Sequence, residues 1–212
     1  MNGLIGKKLG MTQVFDADGR RVAVTVIEAG PCVVVQRKTR ATDGYDAVQL
    51  GYGQQKASRV SKPKAGAFAK AGVEPQRVLR EFPCAGDEAT EVGSQVTVSL
   101  FDGVSHVDVI GTTKGRGFAG VVKRYNMGGG RMTHGGHSKR RVGSIGQCSY
   151  PARVAKGQKM PGHMGSVRVT QQSLKLLDVR GDENLLLVQG AVPGANGGLV
   201  IVKKALKKAG AA

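Results

Sequence analysis

Apolar and polar positions along this 212-residue chain alternate in short runs, each closed by glycine, proline, asparagine or aspartate. Residues 11–15 and 22–28 are rich in β-branched side chains and are joined through Asp16-Ala-Asp-Gly19, a hairpin signal in which Gly19 can take positive φ. Gly30-Pro31 punctuates the chain before 32–38, and 47–50 reads as a further strand. Val96-Thr-Val-Ser-Leu-Phe101 and His106-Val-Asp-Val-Ile110 both repeat with period two, the spacing of half-buried strands. Further on, 174–179 and 185–189 flank Arg180-Gly-Asp-Glu-Asn184, a second hairpin signal, and 199–202 follows a glycine-rich loop at 191–198. Short strands at spacings of roughly 8–12 residues predict a mainly β fold, a barrel or a sandwich. The exception is 64–71, bracketed by Pro63 and Gly72, which predicts a short helix within an insertion at about 61–85. The basic stretch 203–208 reads as a helical or frayed tail.

Between 111 and 165 the pattern stops. Apolar residues there are few and scattered, and glycine recurs at 115, 117, 120, 128–130, 135, 136, 143, 146, 157 and 162. Ordering each residue costs about 1–2 kcal/mol of backbone entropy, and little apolar area is present to offset it. A structureless stretch of this length inside a compact domain is usually functional. The sequence therefore divides into a mainly β domain, barrel or sandwich, over 1–110 and 166–212, and an extended internal loop, 111–165, expected to lack a core and to be ordered by its partner.

Charge sharpens this division. The chain carries 32 Lys and Arg against 15 Asp and Glu, a formal net charge of +17. Residues 109–177 contain no acid at all and 13 of the basic residues, so the rest of the chain is left with only +4. Ordinary soluble surfaces mix signs, because like neighbours repel. A long one-signed segment marks an interaction surface, and cations clustered in this way seek a polyanion. No apolar run approaches the ~18 residues of a membrane helix, and Met1–Lys8 lacks the apolar stretch of a signal peptide. Three widely spaced cysteines, Cys32, Cys84 and Cys148, fit a reducing compartment better than a disulfide framework. A cytoplasmic protein that acts on no membrane is expected.

Several motifs invite chemistry within the acid-free segment. Gly115-Arg-Gly-Phe-Ala-Gly120 follows a predicted strand and has the spacing of a dinucleotide loop, which makes a nucleotide-dependent enzyme the alternative reading. That reading needs a long helix and an acid about 20 residues on to hold a ribose, yet no acid occurs before Asp178. Arg116-Gly-Phe-Ala also fits the first four places of an RNA-recognition octamer, but Gly120 and Lys123 stand where two base-stacking rings belong. His134, His137, Cys148 and His163 suggest a metal site, without the Cys-x-x-Cys pairs or orienting carboxylates that would support one. Cys148 paired with a histidine would likewise lack an acid to orient the base. No catalytic residue, metal or cofactor is expected. Binding to a phosphate polymer needs what the segment has: cations that release counterions, and glycines that let backbone N–H groups approach phosphate.

The residues that carry this argument also carry a resemblance. Phe101-Asp-Gly-Val-Ser-His-Val-Asp-Val-Ile-Gly-Thr-Thr-Lys-Gly-Arg-Gly-Phe-Ala-Gly-Val-Val-Lys-Arg124 resembles the signature of the large-subunit ribosomal protein L-three family. Ile5-Gly-Lys-Lys-Leu-Gly-Met-Thr12, Lys70-Ala-Gly72, Gly143-Ser-Ile-Gly146, Lys156-Gly-Gln-Lys-Met-Pro-Gly-His-Met-Gly165 and Gly190-Ala-Val-Pro-Gly194 are similar to its bacterial form. The resemblance implies a six-stranded β-barrel of the translation-protein type with a long basic extension that enters ribosomal RNA. It implies a structural constituent of the large subunit, not an enzyme, that supports assembly, binds near the 3′ end of the large ribosomal RNA and reaches towards the peptidyl-transferase centre. Ribosomal proteins of the fourteen and nineteen families would be neighbours, and no small-molecule substrate is implied. The expected RNA contacts are Lys114, Arg116, Lys123, Arg124, Arg131, His134, His137, Lys139, Arg140, Arg141, Arg153, Lys156, Lys159, His163 and Arg168. Lys7, Lys8 and the 203–208 tail are lesser candidates.

Overall fold

The computed structural model describes residues 1–16, 18–84 and 91–208. Ala17 of the first hairpin signal, the end of the expected insertion at 85, and 209–212 of the tail region lie outside the described residues. The chain forms two compact units, Met1–Thr112 with Arg168–Ala212, and Thr113–Val167.

The first unit opens with β1 (Gly3–Phe15) and β2 (Arg21–Ala29), followed by β3 (Cys32–Lys38), a one-turn helix α1 (Arg40–Asp43) and β4 (Ala47–Gln54). Next come helix α2 (Lys62–Ala71), β5 (Gln76–Pro83), β6 (Gln95–Val96) and β7 (His106–Thr112). The second unit contributes β8 (Gly117–Ala119), α3 (Val121–Tyr125) and β9 (Gly162–Met164). The chain then returns to the first unit in β10 (Arg168–Arg180), β11 (Leu185–Gln189) and β12 (Leu199–Lys204).

Six of these strands close a barrel in the order β1-β12-β7-β10-β11-β2, every neighbouring pair antiparallel. This is the mainly β, six-stranded barrel expected. Closure leaves no open edge around the barrel itself and turns alternate side chains inward. Leu4, Ile27, Val107, Val109, Leu186, Val188, Val200 and Val202 are buried there. Each such side chain contributes about 1.5–3 kcal/mol on leaving water. Bulges at Lys8/Gly10, Gln171/Leu174 and Leu176/Asp178 bend β1 and β10. Asp108, buried on β7, braces the Gln171/Leu174 bulge. Its Oδ1 accepts the Ser173 N–H at 2.7 Å, where Ser173 takes a φ of 54°, and its Oδ2 accepts the Leu206 N–H at 3.5 Å.

The structure departs from the sequence expectations in several places. β3 and β4 do not join the barrel; with β5 and β6 they make a second sheet in the order β5-β4-β3-β6. The two sheets share one core, in which Cys32, Val34, Val48, Leu50 and Phe82 pack with the barrel's Leu4, Ile5 and Val202. β5 has no clean alternation in Gln-Arg-Val-Leu-Arg-Glu-Phe-Pro, and is a strand because β4 pairs with it from Ala47↔Pro83 to Gln54↔Gln76. The alternating run 96–101 is not a strand. After Val96 it becomes a 3₁₀ turn, Val98–Phe101, which places Val98 and Phe101 three residues apart on one buried face. Helix α2 starts two residues earlier than expected and takes Pro63 into its first turn, where the missing N–H costs nothing. The 203–208 stretch is not a helix: Lys203 and Lys204 extend β12, pairing with Gly3 and Val107.

Candidate nucleic-acid interface

β7 pairs with β10 so that Thr112 lies opposite Arg168, and between them the chain makes its second unit. The two ends of Thr113–Val167 are tied: the Thr113 N–H donates to Val167 O at 2.9 Å, and the Val167 N–H donates to Thr113 Oγ1 at 3.3 Å. One step on, the Arg116 N–H donates to Met164 O at 2.9 Å and opens the β8–β9 ribbon. Gly165 makes this crossing possible. Its φ is +77°, and a Cβ there would run into Lys114 O.

Helix α3 follows without a side-chain cap and ends on Asn126 with a φ of 55°. Its Arg124 is half-buried and donates from Nη1 to Met160 O at 2.7 Å. The guanidinium carbon stands 5.0 Å from the centre of the Tyr125 ring, and Lys159 Nζ stands 5.8 Å from the same ring. Tyr125 thus gathers two of the expected contact residues. A planar guanidinium that is hydrogen-bonded and stacked in this way acts as an internal brace.

Beyond α3 the backbone folds on itself with few regular elements. The Gly130 N–H donates to Lys139 O at 2.8 Å, and a Cβ on Gly129 would stand 2.7 Å from that same oxygen. The Arg141 N–H donates to Ser138 O at 2.7 Å, so Lys139, Arg140 and Arg141 present together on a turn. All three are exposed, as are Lys114, Arg116, Lys123, Arg131, His134, His137, Arg153, Lys156, Lys159, His163 and Arg168. Arg168 is the first residue of β10 and belongs to the first unit. Only Ala119 and Val121 are buried between 113 and 167. Eleven Lys and Arg and no carboxylate occupy those 55 residues. The segment meets water through cations, neutral polar side chains, backbone and a few uncovered apolar side chains.

Among the lesser candidates, Lys7 is exposed but Lys8 is buried. Its ammonium donates to Val192 O at 2.9 Å and Gly194 O at 3.4 Å, so it ties the 191–198 loop to β1 and is not presented to a ligand. Lys203 is half-buried with its Nζ 5.8 Å from the Phe82 ring, whereas Lys207 and Lys208 are exposed. Sequence reasoning missed three aromatic side chains here: Tyr125, Phe118 at 80% exposure and Tyr150 at 89%. The available signal was a ring retained in a segment without a core, within a chain that has only nine Phe and Tyr. Among the described residues no group of three or more His, Cys, Asp or Glu is placed to hold a metal ion, His134 and His137 included.

The family model for ribosomal protein L3 matches residues 64–184, which contain the whole second unit. Relatives named large ribosomal subunit protein uL3 match nearly end to end. The protein of Vibrio cholerae is 56% identical over 208 residues, 98% of this chain and 100% of its own length. That of Corynebacterium jeikeium is 55% identical and that of Brachyspira pilosicoli 50%, each over 98% of this chain and 95% of the relative. This chain belongs to the ribosomal protein L3 family. An L3 protein is a structural ribosomal component and not an enzyme, which removes the nucleotide-dependent alternative. The geometry of the Gly115–Gly120 loop agrees: residues 117–119 are a strand, and the helix after it has five residues, too short for a dinucleotide-binding turn. Ribosomes of the bacteria that supply these relatives are cytoplasmic. No helix of the described residues is long and apolar enough to cross a membrane.

Proposed function

We propose that this chain binds large-subunit ribosomal RNA through its acid-free second unit, with the barrel unit as anchor. The observation that carries the reading is the exposure of ten of the unit's eleven Lys and Arg, with Arg124 alone half-buried and no carboxylate among residues 109–177 to oppose them. Each cation set against a phosphate releases condensed counterions, and an interspersed acid would cancel part of that gain. The contact residues are Lys114, Arg116, Lys123, Arg131, His134, His137, Lys139, Arg140, Arg141, Arg153, Lys156, Lys159, His163 and Arg168, with Arg124 acting as a brace beneath them. Most bind phosphate, which fixes position without reading sequence, so specificity comes from RNA shape and unpaired bases.

As for its wider role, the chain supports large-subunit assembly by binding near the 3′ end of the large ribosomal RNA. Its second unit reaches towards the peptidyl-transferase centre, beside ribosomal proteins of the fourteen and nineteen families. The family resemblance supports these placements.

The test is the salt dependence of binding to a large-subunit ribosomal RNA transcript. Replacing Lys139, Arg140 and Arg141 together by Ala is expected to weaken binding and to flatten the slope of log K against log salt by about 2–3, since each lost phosphate contact removes about 0.7–0.9. A slope equal to that of the unmodified chain overturns the electrostatic assignment.

A further inference from the structure

Phe118 of β8 and His163 of β9 stand directly opposite each other in the two-stranded ribbon. Opposed residues of an antiparallel pair hold their Cβ atoms about 4.5–5.5 Å apart on one face, so the two rings share a surface. Phe118 is 80% exposed and His163 is exposed too. The other face is the more covered one, with Gly117 its one exposed residue. There Ala119 opposes Gly162 and Gly117 opposes Met164; Ala119 is buried, and Gly162 and Met164 are half-buried. The Arg124 guanidinium packs under this face, its Nη1 2.7 Å from where a Gly162 Cβ would stand. The ribbon rests on its glycine side and holds its ring side out.

Leaving a phenylalanine in water forgoes about 1.5–3 kcal/mol of burial. Three of the other four, Phe68, Phe82 and Phe101, are buried. From this geometry we propose that Phe118 and His163 form a two-ring platform on which one or two unpaired RNA bases stack. The proposal rests on the RNA-binding reading above and names what that surface recognises. Stacking is available to every base because every base has a π-face. The surroundings favour RNA over a protein partner. Arg116 precedes Phe118 by two residues and its backbone N–H already joins the ladder through Met164 O, while no acid lies nearby in sequence. A nucleotide brings a ring for the platform and a phosphate for the arginine in one unit. The partial octamer Arg116-Gly-Phe-Ala gains its meaning here: the second ring comes across the ribbon from β9 rather than from further along the same strand.

The experiment uses the full chain with a protein-free large-subunit ribosomal RNA transcript, with F118L, F118Y and H163A compared with the unmodified chain. Phe118→Leu keeps apolar bulk and removes the ring; Phe118→Tyr keeps the ring. Since Phe118 contributes little buried area, equal thermal midpoints are expected and verify folding. F118L is expected to lose about 5-fold to 150-fold in affinity at fixed salt, with an unchanged log K against log salt slope, while F118Y binds as the unmodified chain does. H163A loses less, and ultraviolet crosslinking followed by mass spectrometry finds a nucleotide on the peptide carrying Phe118 or His163. If F118L binds as tightly as the unmodified chain and neither ring crosslinks, while the steep salt slope persists, the platform falls and the RNA-binding reading stands. A salt-independent unmodified chain sinks both. If F118L binds the transcript normally and fails only in particles that contain other ribosomal proteins, the rings face protein and the platform is wrong.

Discussion

Two buried side chains of the barrel unit show how much a single residue can decide. Lys8 reads in the sequence as one of a basic pair beside a strand, yet it is 6% exposed and donates to Val192 O and Gly194 O. Hydrogen bonds from a charged donor are worth about 1.5–3 kcal/mol, and their loss deprives the buried Val192 carbonyl of this donor. Lys8→Met is therefore expected to destabilise the protein by about 2 kcal/mol in chemical denaturation, and an unshifted midpoint would show that the loop at 191–198 is held by other means. Cys32 is buried with its Sγ 3.4 Å from Ile5 O, and burial pushes its thiol up from 9.0 to about 11. In the unfolded chain the thiol ionises first, so between pH 9 and 11 the unfolded state sheds a proton that the native state keeps. Stability is complete below pH 9 and falls as pH rises, by at most about 1.4 kcal/mol per unit. Tyr52, pushed up to about 12 by burial, acts in the same sense at higher pH. A Cys32→Ala chain should show a shallower alkaline decline in its unfolding free energy between pH 9 and 11; an identical decline would place the titration elsewhere. Neither burial was legible locally, because both partners lie far away in sequence.

At the scale of elements, the hairpin signals around Gly19 and at Arg180–Asn184 were readable because turn chemistry is local. Gly19 has a φ of +73°, and the Asn184 N–H closes onto Gly181 O at 3.2 Å. β5 and the short turn at Val98–Phe101 were not readable, since the first depends on β4 and the second on burying two side chains on one side. The β8–β9 ribbon is a sharper case. Its three-residue strands carry no periodic signal, and 42 residues separate Ala119 from Gly162. Gly165 closes it. Gly165→Ala adds a Cβ against Lys114 O at a positive φ, a strain of about 1–3 kcal/mol. Amide exchange at Arg116, whose N–H bonds Met164 O, is expected to quicken by about tenfold or more, while the barrel strands keep their protection. Unchanged exchange at Arg116 would show that the crossing tolerates the methyl group.

For the molecule as a whole, apolar burial and charge are divided between the units. The first unit holds the shared core; in the second, from 128 to 159, only Gly136 and Val142 are even half-buried. Stability should follow burial. In the free protein, amides over 128–157 are expected to exchange far faster than those of β7 and β12, and addition of large-subunit ribosomal RNA should slow them. Strong protection without RNA would contradict a partner-dependent order. The mainly β class, the turns and the acid-free cationic stretch follow from the chain's own order of residues, because period, backbone preference and charge are properties of neighbours. The tertiary structure alone decided which strands closed the barrel, that β3, β4, β5 and β6 would turn aside into a second sheet, that Lys8 would be buried and that Phe118 would face His163. Those outcomes depend on packing between residues tens to nearly two hundred positions apart, where each contact is settled by what the whole fold can bury.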